Sequence, residues 1–245
     1  DNTVDISAMG GSSTAYVSDF NNKFNFRNPA ANSNLDLTAF TVEGTNENNF
    51  YKSGNAKATR HSTYLSNISI AFPLSQKLKF GLDYQPYSSK SYEVVTNNDI
   101  GTDMKIANRF AGSGMISTLQ GALSYSILPE FAIGARTNYY FGKLHDLQEV
   151  TLTNAEYING METVNTVNAF NFTLGAIYQK KNDNDRKFTA GATYTFGTIG
   201  KMQSAYTNST YYYAGEKVNE NIISSKTTET NNMLPMEASI GLGYG

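Results

Sequence analysis

Few side chains in this sequence are of the types that carry out catalysis. The chain has two histidines, His61 and His145, and no cysteine, so thiol nucleophiles and cysteine-ligated metals are excluded. A phospholipase or protease site needs a histidine held beside a nucleophile, and the sequence holds no Gly-x-Ser-x-Gly motif. We therefore predict no catalytic residues and no enzymatic activity.

The run Asn182-Asp183-Asn184-Asp185 carries the oxygen ligands of a partial calcium loop. It lacks the glycine that should follow and the glutamate at the twelfth position of such a loop. Basic residues flank it on both sides, which is typical of a polar turn. We predict no metal site and no cofactor.

The composition favours strands and turns over helices. Of 245 residues, 40 % are hydrophobic and 16 % are charged, against about 25 % charged in an ordinary soluble domain. The net charge of −2 offers no basic surface, so we expect no nucleic-acid partner. No apolar run approaches the length of a transmembrane helix.

Apolar and polar residues alternate with period two in seven segments, which predicts strands. These are residues 64–72, 78–86, 115–127, 131–141, 168–178, 188–196 and 236–244, with a weaker eighth at about 34–43. Short connections alternate with four long polar ones, predicted as loops at about 44–63, 87–114, 142–166 and 197–234. This layout is typical of an outer-membrane β-barrel, whose turns are short at one end and long at the other.

Ionisable residues inside the clear strands all fall on the polar phase. A lipid-facing Lys or Arg would cost ~2–4 kcal/mol, so we predict that these side chains point into a lumen. A cation there would suit a carboxylate headgroup; a solvated or mutually paired wall is the alternative. The residues are Lys79, Asp83, Arg136 and Glu237.

Several segments resemble the FadL-type outer-membrane transporter family. The N-terminus reads Ala-Met-Gly-Gly-Ser-Ser-Thr-Ala-Tyr over residues 8–16, followed by Asp19 and by Asn28-Pro29-Ala30. The hairpin 68–84 is similar to the second and third strands of that family, and residues 188–197 to a later one. The loop style is most similar to members from Bacteroidota.

The resemblance implies a 14-stranded antiparallel transmembrane β-barrel with an N-terminal hatch inside the lumen. Residues 1–32 would form the hatch and residues 33–245 the first eight strands, since fourteen strands at this spacing need roughly 430 residues. We therefore expect the chain to be incomplete. The hatch residues implied are Met9, Gly10, Gly11, Asn28, Pro29 and Ala30, although Asn28–Ala30 also suits a simple turn before the first strand.

Apolar residues in the third and fourth long connections stand out from their polar surroundings. In the family, outer loops form an apolar capture groove, whereas packing between loops is the alternative. The residues are Leu152, Tyr157, Ile158, Met161, Tyr211, Tyr212 and Tyr213. Pro86 would open a lateral exit in the family, or it simply ends the membrane-embedded part of its strand.

The resemblance thus implies passive uptake of hydrophobic small molecules, such as fatty acids, across the outer membrane of a Gram-negative bacterium. Outer-membrane lipid and a hydrophobic ligand or detergent are the expected partners. The alternative is a non-transporting, FadL-like subunit of a larger outer-membrane complex, for example type IX secretion or gliding machinery, with outer-membrane protein partners. A soluble β-sandwich or adhesin fragment is a third hypothesis.

Overall fold

Strands dominate the computed structural model, which describes residues 4–54, 56–99, 105–181, 186–231 and 234–245. One short helix, α1, spans Val4–Ala8. Among the described residues no helix is long and apolar enough to cross a membrane. The strands are β1 (Ala39–Ser53), β2 (Ala56–Pro73), β3 (Leu78–Asp99), β4 (Lys105–Leu128), β5 (Phe131–Leu152), β6 (Ile158–Lys181), β7 (Lys187–Thr195), β8 (Ile199–Tyr213), β9 (Lys217–Thr230) and β10 (Glu237–Tyr244).

All ten strands belong to one antiparallel sheet, so the predicted all-β fold is confirmed. Neighbouring strands follow the order β1-β2-β3-β4-β5-β6-β7-β10. The long strand β6 pairs with β7 through Thr173–Lys181 and with β8 through Ile158–Phe170. Because β10 pairs with β7 and β9 with β8, the ten strands occupy eight positions across the sheet.

The four connections predicted as long loops are mostly β-hairpins, so that prediction was wrong. β3 and β4 stay paired from Leu78 and Tyr125 outward to Asp99 and Lys105. Backbone pairing needs no apolar alternation, and a hairpin with solvent on both faces leaves no period-two signal in the sequence. The outer part of β4, residues 105–115, extends the sheet by roughly 35 Å at ~3.4 Å per residue.

The inner part of the sheet is polar on its buried face and apolar on its exposed face. Asp83 and Asn138 are each 1 % exposed, whereas Leu123 is 43 % and Leu174 is 50 % exposed. A soluble sandwich buries the opposite face. In this sheet the apolar face is the exposed one and the polar face is covered.

The N-terminal segment, residues 9–38, lies against the buried polar face. Small residues make the close approach possible: a Cβ at Gly134 would collide with the backbone of Pro29, and one at Gly175 would lie 2.9 Å from the Pro29 Cδ. Gly191, Gly241 and Gly81 continue this row of glycines under Thr14, Ala15 and Phe26. The row is therefore the floor on which the segment packs.

The described sheet has two free edges, and two of its neighbouring strands separate part-way along their length. Within the described residues, β1 pairs only with β2 and β10 only with β7, so the sheet does not close. β2 and β3 pair only from Ile68 and Tyr84 down to Pro73 and Lys79, and above that level they part. The closed barrel, the 14 strands and the hatch therefore stay predictions.

Candidate functional site

The glycine pair predicted in the hatch ends helix α1. The Gly11 N–H donates to the Ile6 carbonyl at 2.9 Å, and Gly10 and Gly11 have φ of 69° and 83°. Glycine adopts this left-handed conformation at little cost, which is how many helices stop. Met9 is 42 % exposed.

Asparagines hold the rest of the N-terminal segment in shape. The fully buried Asn28 donates from Nδ2 to the Thr14 carbonyl at 2.6 Å and to the Ala176 carbonyl of β6 at 3.3 Å. Its Oδ1 accepts from the Ala30 N–H at 3.1 Å. Asn28 therefore ties the segment both to itself and to the sheet, and Pro29 and Ala30 are buried beside it.

Three of the four residues predicted to point into a lumen are buried on the polar face. Lys79 forms an ion pair with Asp36 at 3.3 Å, and Asp83 accepts a hydrogen bond from Asn67. Arg136 donates to the Phe26 carbonyl and, at 3.1 Å, to Thr173 Oγ1. Glu237 is exposed on the edge strand β10.

A hydrogen bond from Tyr211 to Glu149 joins the outer hairpins, and the tyrosine ring passes over a glycine. Tyr211 on β8 is fully buried and donates to Glu149 Oε1 on β5 at 2.6 Å. Between them lies Gly160 of β6, where a Cβ would stand 2.6 Å from the Tyr211 Cε1. The glycine thus leaves room for the ring to span β6.

A second bridge of the same kind approaches β5 from the other side. Tyr92 on β3 lies over Gly112 of β4 and donates to Asp146 Oδ1 at 3.1 Å. Lys90 donates to both oxygens of the same carboxylate, at 2.8 and 2.7 Å. The hydrogen bonds from Lys90 and Tyr92 hold the pKa of Asp146 below the ordinary value of an aspartate. We call Tyr211–Gly160–Glu149 and Tyr92–Gly112–Asp146 the two cross-strand bridges.

Glu149 has more hydrogen-bonding partner side chains than any other residue of the two bridges. Besides Tyr211 it accepts from Tyr213 at 2.8 Å and from Arg109 at 2.8 Å, and Arg109 also donates to Glu93. Burial raises the pKa of Glu149, but the three hydrogen bonds lower it by more, so the net pKa lies below its ordinary value. The bridges therefore connect β3, β4, β5, β6 and β8 through charged hydrogen bonds.

The apolar residues predicted to capture a ligand differ in their exposure. Tyr211 is buried in its bridge, and Tyr157 packs edge-on against Tyr212 with ring centroids 5.8 Å apart. Leu152 is 37 % and Tyr213 46 % exposed. The rest, Ile158 and Met161, are half-buried.

Each of the two histidines lies beside one polar side chain. His61 Nδ1 contacts Asn48 Oδ1, and His145 Nδ1 lies 3.6 Å from Glu162 Oε1. Across the described part of the chain no group of His, Cys, Asp and Glu residues could hold a metal ion. The predicted polar turn at 182–185 lies outside the described residues. The absence of enzymatic activity stays a prediction.

An apolar cavity of about 270 Å³ lies at the connection between β7 and β8. That volume falls just short of the ~300–1,000 Å³ of typical small-molecule pockets. Pro86 directly precedes the lining residue Tyr87, at a bulge in β3. The lining residues are Tyr87, Ile116, Tyr140, Val167, Ala169, Thr198, Met202 and Leu234.

A family model with the description BamG matches residues 1–245. The chain belongs to the BamG family. Comparison with curated proteins and with solved structures finds no match. The BamG match, together with the all-β fold and its exposed apolar face, is consistent with association with a Gram-negative outer membrane.

The BamG match overturns the resemblance to FadL-type transporters. The predicted membership of the FadL-type family was wrong. The predicted uptake of fatty acids and the predicted hydrophobic ligand were wrong with it. The N-terminal glycines, Asn28 and Pro29 that suggested the resemblance are explained by packing of that segment on the sheet. Of the functions predicted, the subunit of an outer-membrane complex fits the BamG family better.

Proposed function

We propose that this protein is a non-enzymatic subunit of an outer-membrane protein complex with a role in outer-membrane protein assembly. The observation that carries the proposal is the match of the BamG family model to residues 1–245. The family name relates it to the Bam complex.

We further propose that the inner part of the sheet is the wall of a transmembrane barrel. Its exposed leucines would face lipid, and the N-terminal segment would fill the lumen as a hatch. The burial of polar side chains beneath that segment supports both statements, because an unfilled polar lumen would leave Asp83 and Asn138 in water. The predicted fourteen strands would require further pairing at the two edges of the described sheet, β1 and β10.

Beyond the proposed wall, the hairpins offer surface for protein contacts. Exposed large apolar side chains on a surface mark interaction sites, and aromatic ones contribute most to binding. The two cross-strand bridges would hold the hairpins formed by β3 to β6 and by β8 in a fixed arrangement, which lowers the entropy lost on binding there. The exposed residues are Phe50, Tyr51, Val94, Val95, Ile222 and Ile223.

The proposal is tested by purifying the tagged full-length protein from its native outer membrane in mild detergent. We expect it in a stoichiometric complex, and depletion of the protein should lower the amounts of other outer-membrane proteins. The double variant Phe50→Ser with Tyr51→Ser should weaken the complex, whereas Lys52→Ser on the same strand should not. A protein that migrates alone, and whose depletion changes no other outer-membrane protein, would refute the proposal.

A further inference from the structure

The separation of β2 from β3 leaves two facing strand edges. Above Ile68 and Tyr84, residues 56–67 of β2 pair only with β1 and residues 85–99 of β3 only with β4, among the described residues. We call this gap the β2–β3 fork. Unpaired N–H and C=O groups along such edges are templates for pairing with another strand.

The sequence explains why β3 leaves β2 at this level. Pro86 lies two residues beyond the last pair and has no N–H to donate. A bulge between Pro86 and Ser88 shifts the register with β4, and bulges bend and twist the strand that carries them. Tyr87, within the bulge, packs edge-on against Tyr140 of β5 at 4.9 Å, which holds β3 to the β4–β5 side.

One groove occupies the fork and a second meets it at Arg60 and Ser91, and their size suits a peptide. One of about 780 Å³ lies between β2 and the serine-rich run of β3, with Ser7 of α1 at its lining. The other, of about 760 Å³, continues toward Arg109 and His145. Small side chains on both walls, including Ser62, Ser88, Ser89 and Ser91, leave the backbone edges accessible.

The charge in the fork indicates what the peptide should carry. Arg60 of β2 lines both grooves, is exposed, and has no carboxylate partner within the described part of the chain. The other cations are engaged, Lys90 with Asp146 and Arg109 with Glu93 and Glu149. The remaining acids that line the grooves are engaged as well, Glu162 with Lys217 and Glu47 with the Tyr64 hydroxyl. An acidic side chain in the groove would therefore complete an ion pair with Arg60.

We propose that the β2–β3 fork binds an extended polypeptide segment, which adds as a strand to its edges and places an acidic side chain against Arg60. This is β-strand addition, in which main-chain hydrogen bonds supply affinity and pockets supply specificity. The inference rests on the proposed function for the source of the segment, a partner in an outer-membrane complex. The binding chemistry itself can be measured on the isolated protein.

The test uses a nine-residue peptide of alternating threonine and valine with a central aspartate. The chain has no cysteine, so a fluorophore attached to Ser89→Cys reports on the fork alone. We expect a saturable signal from Ser89→Cys and none from a label at Thr228→Cys on β9. A peptide with proline at alternate positions, or with lysine in place of aspartate, should bind about tenfold more weakly or not at all.

Variants separate the ion pair from nonspecific adhesion. Arg60→Glu should weaken binding about tenfold, whereas Lys57→Glu, on the same strand but outside both grooves, should leave it unchanged. Equal binding of the proline peptide, equal binding by Arg60→Glu, or an equal signal from Thr228→Cys would overturn the inference. A protein that remains in its complex but binds no peptide would refute the fork as a binding site and leave the proposed function standing.

Discussion

Tyr211 donates a hydrogen bond of 2.6 Å to Glu149 across the face of Gly160, and so connects two strands that are not neighbours. Tyr92 does the same to Asp146 across Gly112. Both acids lie on β5, three residues apart. The outer hairpins are thus held to one central strand from both sides, by polar bonds instead of an apolar core.

The Tyr211 bridge depends on the missing side chain at position 160. Gly160→Ala would place a Cβ 2.6 Å from the Tyr211 Cε1, and we expect a loss of ~1–3 kcal/mol in the free energy of unfolding. Urea unfolding in detergent measures it. The matched control is Gly121→Ala, whose Cβ would meet Leu82 Cδ2 at an ordinary 3.6 Å. Equal effects of the two substitutions would show that the bridge contributes nothing.

Acid should weaken the bridges. The folded-state pKa of Glu149 lies below its ordinary value, so its contribution is fully present above the unfolded pKa of ~4.3 and is lost as the pH falls through the folded pKa. Asp146 acts in the same direction. Melting temperatures measured from pH 7 down to pH 3 should fall, and Glu149→Gln should flatten part of that slope. An unchanged slope in Glu149→Gln would contradict this assignment.

The N-terminal segment should come loose when its glycine floor is filled. In Gly134→Val the new side chain would collide with the Pro29 backbone, so the segment cannot lie as it does. We expect faster trypsin cleavage after Lys23 and Arg27, followed by mass spectrometry. Gly121→Val, on the opposite face of the sheet, is the control. A segment equally protected in both variants would disprove packing on Gly134.

The proposed lipid-facing surface can be probed with single charges. Leu174→Lys would place a cation on the exposed apolar face of β6 and should cost ~2–4 kcal/mol if that face lies at mid-membrane. Val95→Lys, at a similarly exposed position on the outer part of β3, should be tolerated. The measurement is the fraction of protein recovered in outer-membrane pellets after expression. Normal recovery of Leu174→Lys would place that face in water.

The sequence predicted the inner strands because that part of the sheet has two different environments. Leu82 meets the exterior and Asp83 the covered face, so alternation is compulsory there. The outer hairpins escaped prediction because most of their residues on both faces are exposed or half-buried, so neither face enforces apolar alternation. The bridges were missed for another reason: a cross-strand contact such as Tyr211 to Glu149 depends on register, which the run Tyr211-Tyr212-Tyr213 does not reveal.

The β1–β2 hairpin is joined to the remainder of the described sheet only through Ile68–Pro73. Its outer half can therefore swing about that short seam without breaking any inter-strand backbone hydrogen bond. The β3–β4 and β5–β6 hairpins lack this freedom, because they are paired along their length and bridged at Asp146 and Glu149. The β3–β4 and β5–β6 hairpins thus form a rigid unit, and the β1–β2 hairpin is a flexible one. The angle between the two units is the part of the molecular shape that strand pairing does not fix.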